Sequence, residues 1–302
     1  MRSMNTRQAI SEAILRTLLL TSLLALLATI TACSPSIQQI PRSTNTPPTS
    51  TPPTTSTVAS TPTATPLTCL TQPGRVEAGQ LDSFTPAQEF RVYLPPCYDQ
   101  KTDERYPVLY LLHGQTYTDD QWIRLGAVKV VDDLIVSGES TPFIIIFPDD
   151  RYWNLQAGPG FGNRLVNSLI PYIDSTYRTL PDRDHRAIGG MSRGAGWSLR
   201  LGLTRPDLFG VMGLHSLAVL QKDSTKISDW VTDMPLDARP TIFMDIGDND
   251  QELIMARDVE AQFNQYGLSH EWHLYSGAHT EEYWSAHVEE YMRWYAEQWN
   301  SH

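Results

Sequence analysis

Ser192 lies in Gly190-Met191-Ser192-Arg193-Gly194, a G-x-S-x-G. A serine hydroxyl attacks a carbonyl only when a base takes its proton, and the attack creates an oxyanion that needs N–H donors. This spacing serves both requirements. Glycines two before and two after the serine permit a sharp strand-to-helix reversal, where a β-carbon would collide with the turn or a neighbouring strand. The reversal lifts the hydroxyl clear of the sheet and sets the next amide, that of Arg193, at a helix N-terminus. The flanks agree: "HRAIGGM" reads as a buried strand, and Arg193–Thr204 as a helix stopped by Pro206.

In the strand-turn-helix version of this chemistry the acid follows the serine and the histidine comes last. "TIFMDIGDND" offers three acids. Asp245 lies inside the strand pattern, whereas Asp248 and Asp250 follow Gly247 in the loop. Position favours Asp250, with Asp248 second, and at least one of the three must cap the helix beginning near Glu252. The chain has eight histidines. His279, in "SGAHTEEYW", has the right order, a small-residue loop and a helix after it. His273 and His287 lie in elements, and His113 and His215 end early strands.

The strand end "LLHGQTY" offers the second oxyanion donor, the Gln115 N–H, with Thr116 as the alternative. His113 then reads as a structural hydrogen-bonding residue. Asp150, Arg151 and Trp153 in "FPDDRYW", with His215 and Trp284, are candidates to line the cleft, though the first group reads equally well as loop and turn. Gly158-Pro159-Gly160 follows no strand and is interrupted by proline, so it is no nucleotide fingerprint. "DIGDNDQE" lacks the glycine and distal glutamate of a calcium loop. No zinc spacing occurs, so neither metal nor cofactor is expected.

The elements that must carry these residues alternate. "PVLYLLHG", "PFIIIFPDD", "FGVMGLHS" and "TIFMDIGD" are near-continuous apolar runs, as in strands buried on both faces of a parallel sheet. "EFRVYLP" alternates like an edge strand, and "HEWHLYSG" closes the series. Helical patterns fall at Gln121–Val136, Asn163–Tyr177 (kinked at Pro171), Arg193–Thr204, Glu252–Tyr266 and Glu281–Trp299. The fold class is α/β: a doubly wound, mostly parallel sheet with helices on both faces. Its ligands belong at the carboxyl ends of the strands.

The first third of the chain differs. Arginines precede "TLLLTSLLALLATITA", an apolar run short of a membrane span, which reads as a signal peptide over residues 1–32. "ITACS" resembles a bacterial lipobox and marks Cys33 for lipidation. Residues 33–66 are rich in Ser, Thr and Pro and cannot form a core, so they read as a semi-stiff disordered spacer. Residues 67–302 make one domain. The chain's net charge is −11, yet its first 66 residues hold four arginines and one glutamate, so the acidic excess lies in the domain. That excludes a nucleic-acid partner and disfavours strongly anionic ligands. Two cysteines in an exported domain, Cys69 and Cys97, are expected to pair. The expected place is the extracytoplasmic side of a membrane, held there by lipid.

Together "FRVYLPPCYD", "RYPVLYLLHG", "YRTLPDRDHRAIGGMSRGAG", "RPDLFG", "IGDND" and "GAHTEEYW" resemble the putative esterase family of α/β hydrolases. That family includes feruloyl and acetyl-xylan esterases, S-formylglutathione hydrolase (esterase D), enterochelin esterases and mycolyltransferases. The resemblance implies Ser192, Asp250 and His279 as the triad and the amides of Gln115 and Arg193 as the oxyanion hole. It implies a serine carboxylesterase acting through an acyl-enzyme, on small-molecule or polysaccharide-linked feruloyl or acetyl esters. The alternatives are an acyltransferase of the mycolyltransferase kind, a siderophore esterase, or a silent binding module on the same fold. One departure stands beside the serine: relatives usually read Ser-Met-Gly-Gly, and this chain reads Ser192-Arg193-Gly194-Ala195. The Arg193 side chain either reaches the cleft and favours an anion or turns aside into a salt bridge.

Overall fold

The strands pair into a single eight-stranded sheet in which, counted in chain order, the third and fourth exchange places. The computed structural model describes residues 68–150 and 160–300. The signal segment, Cys33, the spacer, Arg151 and Trp153 lie outside the described residues. The strands are β1 (Arg75–Leu81), β2 (Gln88–Leu94), β3 (Val108–Leu112), β4 (Ile144–Pro148), β5 (Arg186–Met191), β6 (Val211–His215), β7 (Thr241–Gly247) and β8 (Glu271–Tyr275). β1 and β2 are antiparallel, as are β2 and β4; every other pairing is parallel.

Alternation along the strands divides the core in two. Val108, Tyr110 and Leu112 of β3 pack on the helices Phe161–Arg164, Ile170–Thr176 and Arg193–Thr204, while Leu109 and Leu111 face Ala127–Ser137 and Glu281–Glu297. β3 to β6 are wholly buried. This double coverage explains their continuous apolar runs.

The structure corrects two readings and adds two elements. "EFRVYLP" is not an edge strand, because β1 pairs along its whole length. β1, RVEAGQL, carries no strand signal, because its apolar Val76 and Ala78 are exposed while the more covered positions hold Glu77 and Gly79, and Leu81 alone is buried. The pattern Gln121–Val136 is two helices, Gln121–Arg124 and Ala127–Ser137, parted at Gly126, whose φ of 102° favours glycine. A short helix at Ile227–Asp233 had no clear pattern. The expected kink at Pro171 takes the form of a π-helical turn, Leu165–Leu169, ahead of it. Proline has no N–H to donate, and the wider turn accommodates the break in the ladder.

Cys69 and Cys97 are joined in a disulfide 28 positions apart, tying the start of the described chain to the residues after β2. A loop of that length stabilises the fold by about 3.5 kcal/mol. Replacing both cysteines with alanine is expected to lower the unfolding free energy by about that amount in denaturant titration. An unchanged midpoint would assign the bridge no role in stability.

Candidate active site

β5 ends at Met191 and a helix begins at Arg193, so Ser192 takes the whole reversal, with φ 54° and ψ −121°. A non-glycine residue held there stores about 1–3 kcal/mol of strain. The surroundings impose it. The Ser192 N–H donates to the His215 carbonyl at 2.9 Å, and its own carbonyl accepts from Gly196 and Ala218. A β-carbon on Gly190 would lie 2.6 Å from the Gly194 carbonyl carbon, and one on Gly194 would lie 2.7 Å from the His113 oxygen. These are backbone atoms and cannot step aside. Ser192→Gly is therefore expected to unfold about 1 kcal/mol less readily than Ser192→Ala, both lacking the hydroxyl. Equal stabilities would show that the turn is unstrained.

Behind the serine, His279 Nε2 is 2.8 Å from Ser192 Oγ. His279 Nδ1 lies 2.9 and 2.8 Å from the two carboxylate oxygens of Asp250. Asp250 Oδ1 also accepts the Glu252 N–H at 2.8 Å. Burial raises the Asp250 carboxyl, but hydrogen bonds from His279, Glu252 and Ser216 outweigh it and hold the group below its ordinary 3.8. The side chain is thus a carboxylate at neutral pH. An acceptor-only group facing Nδ1 keeps the proton there and leaves the Nε2 lone pair for the serine hydroxyl.

Chain order alone could not bring acid and base together; two loops zipped to each other do so. After β7 and β8, Asp248 N–H donates to the Tyr275 carbonyl at 2.7 Å and Asn249 N–H to the Gly277 carbonyl at 2.8 Å. The three aspartates left open by the sequence therefore do three jobs. Asp248 is exposed and accepts the Gly277 N–H at 3.0 Å, fixing the histidine loop. Asp245 is buried in β7, accepting His215 Nδ1 at 2.7 Å and the hydroxyls of Tyr283 (2.7 Å) and Tyr291 (2.6 Å). Only Asp250 meets His279.

The other candidates separate. Gly114 abuts the serine, since a β-carbon on it would lie 3.7 Å from Ser192 Cβ. Gln115 is exposed beside it. The Arg193 amide opens the helix, where the first N–H groups have no intrahelical acceptor. The Arg193 side chain turns aside: its Nε donates to Asp150 Oδ2 at 2.9 Å, and the Trp197 indole N–H donates to the same oxygen at 2.8 Å. Burial raises the Asp150 carboxyl more than Arg193 and Trp197 lower it.

Two cleft assignments are corrected. His215 has no exposed surface, because its ring points into the layer under the helix Glu281–Glu297, against Tyr291 and the Tyr295 hydroxyl. Trp284 is also buried, with its ring edge-on to His279 at 5.1 Å and its N–H donated to Ser216 Oγ at 2.9 Å. It supports the histidine from behind.

Sequence reasoning missed Gln121 and the role of Ser216. The fully buried Gln121 amide accepts the Gly114 N–H at 2.8 Å and donates to Glu281 at 3.3 Å. It links the Gly114 loop to the helix that follows His279. Ser216, at φ 47°, joins Trp284 to Asp250. Its position after His215 was visible, but nothing in one sequence shows that β6 ends beside the acid.

Residues 83–295 match the family model described as Esterase, putative esterase. The endo-1,4-beta-xylanase/feruloyl esterase of Xylanibacter ruminicola is 31% identical over 185 residues, 58% of this chain and 24% of that protein. An esterase of Mycobacterium tuberculosis is 28% identical over 148 residues, 46% of this chain and 31% of that one. The chain thus spans less than a third of the length of these curated relatives. A solved ferulic acid esterase superposes with a TM-score of 0.68 at 26% identity, covering 76% of this chain and 100% of that one. The chain belongs to the putative esterase family of α/β hydrolases.

Proposed function

We propose that this protein is a serine carboxylic-ester hydrolase working through an acyl-enzyme. The observation that carries the reading is the continuous contact from Ser192 Oγ through His279 to Asp250, at 2.8 Å and then 2.9 and 2.8 Å. Ser192 Oγ attacks the ester carbonyl as His279 Nε2 takes its proton. The Gln115 and Arg193 N–H groups receive the oxyanion. Collapse expels the alcohol, which takes the proton from His279, and leaves an acyl group on Ser192. Water, deprotonated by His279, attacks that acyl group in turn; the acid leaves, and the proton returns to Ser192. Asp250 orients His279 and stabilises its charged form.

Feruloyl-type esters of plant-wall polysaccharide or their small fragments are the proposed substrates. Support comes from the xylanase/feruloyl esterase and ferulic acid esterase likenesses. A ferric catecholate triester is disfavoured, since Arg193 is already paired with Asp150 and the domain is acidic. A panel of nitrophenyl acetate, methyl ferulate, acetylated xylan and a catecholate triester tests the reading. Turnover highest on methyl ferulate supports it; turnover confined to acetylated xylan or the triester rejects the substrate class. We also propose that Cys33 carries lipid and holds the enzyme on the extracytoplasmic face, spaced by residues 33–66. Cys33→Ala should then move the protein from the membrane to the soluble fraction, and unchanged partition would reject the anchor.

A further inference from the structure

His113 is buried at 4% exposure and, among the described residues, its hydrogen bonds go to none of Ser192, His279 and Asp250, yet both of its nitrogens are committed. Nε2 is 2.8 Å from the Asp150 backbone nitrogen. A backbone N–H only donates, so Nε2 carries a lone pair and the ring proton sits on Nδ1. Asp149 Oδ1, 3.4 Å from Nε2, would draw a proton there, but the Asp150 N–H already occupies that lone pair. Nδ1–H then donates to the Gly114 carbonyl at 2.7 Å.

That carbonyl belongs to the same peptide unit as the Gln115 N–H. In a trans peptide the C=O and N–H point in opposite directions. The Gly114 oxygen is held by His113 at 2.7 Å and by the Tyr117 N–H at 3.2 Å. The preceding peptide is held too, with the Gly114 N–H on Gln121 Oε1 at 2.8 Å. With the oxygen turned to the buried ring, the Gln115 N–H points away from that ring; Gln115 is itself exposed, and Gly114 before it abuts Ser192.

We propose that His113 is a positioning residue for ester hydrolysis: through the Gly114 carbonyl it aims the Gln115 N–H at the developing oxyanion. The proposal rests on the esterase reading above. It gives Asp150 a double role as well. The Asp150 N–H fixes the His113 tautomer, and its carboxylate pins the side chain of Arg193, whose amide is the second donor. Asp150, two positions past β4, thereby ties the two donor loops together. The Arg193 side chain serves this tie and leaves substrate charge unread.

Asparagine and glutamine separate the two ring nitrogens. Asn places an N–H where Nδ1 stands; Gln reaches the Nε2 position and leaves the Gly114 carbonyl without its donor. His113→Gln and His113→Ala are expected to lower kcat about 100-fold, the scale of losing one oxyanion donor, with KM changed less than about twofold. His113→Asn should recover at least about tenfold of that loss. Affinity for an arylboronic acid, which forms a tetrahedral adduct on the serine, should fall in step with kcat. Asn no better than Gln, or a loss carried by KM, overturns the proposal. Hydrolysis that survives Ser192→Ala instead overturns the esterase reading, and this proposal with it. Should the variants not fold, nitrogen NMR of wild-type His113 decides: a neutral ring protonated on Nδ1 is expected, and a ring protonated on Nε2 overturns the proposal.

Discussion

Ser192→Ala is expected to lower kcat for ester hydrolysis by on the order of a million-fold, to the level of residual binding and oxyanion stabilisation. The fold should not change. Alanine keeps the β-carbon and the same backbone strain, and the hydrogen bonds of the Ser192 N–H and C=O do not involve the side chain. Only Oγ disappears, and with it the contact to His279 Nε2 at 2.8 Å. A matched thermal melt with lost turnover assigns the effect to chemistry. Retained turnover would mean that another residue is the nucleophile.

Asp250→Asn is the second large effect, a loss of about 10,000-fold in kcat. Oδ1 of Asp250 accepts both His279 Nδ1 and the Glu252 N–H. The Glu252 N–H, which can only donate, holds the single oxygen of asparagine at the Oδ1 place, so the NH2 stands where Oδ2 is, the nearer neighbour of Nδ1 at 2.8 Å. His279 then moves its proton to Nε2 and can no longer accept one from Ser192. The same substitution alters acid stability. A carboxyl held below its ordinary 3.8 in the folded protein stabilises the fold fully above about pH 4, and that contribution is lost as pH falls through the folded value. The wild type should therefore lose stability below about pH 4 more steeply than Asp250→Asn. Parallel acid-unfolding curves would contradict the depressed carboxyl.

What could be read from one sequence follows physical locality. The elbow is local: its glycines, its serine and the change from strand to helix fall within a dozen residues, and each has its own steric reason. The buried strands were legible because coverage on both faces leaves unbroken apolar runs. β1 was not, because a one-sided edge strand needs little hydrophobicity. The acid stayed ambiguous among Asp245, Asp248 and Asp250 until the family resemblance favoured one. The distinction depends on which residues β6, β8 and the last helix bring alongside, and that is non-local. For the same reason His215 read as a cleft residue and is instead a fully buried partner of Asp245. Burial, then the Asp245 charge, keeps the Tyr283 and Tyr291 hydroxyls protonated as donors to that carboxylate. Arg193 left two outcomes open, and the structure shows the ion pair with Asp150.

The most direct test of Ser192 as nucleophile is mass spectrometry of the wild-type protein after reaction with a fluorophosphonate. One adduct per chain is expected, on the peptide carrying Ser192, forming in parallel with loss of esterase activity. It should be absent from Ser192→Ala. An adduct on any other residue, or full labelling of Ser192 with activity retained, would contradict it.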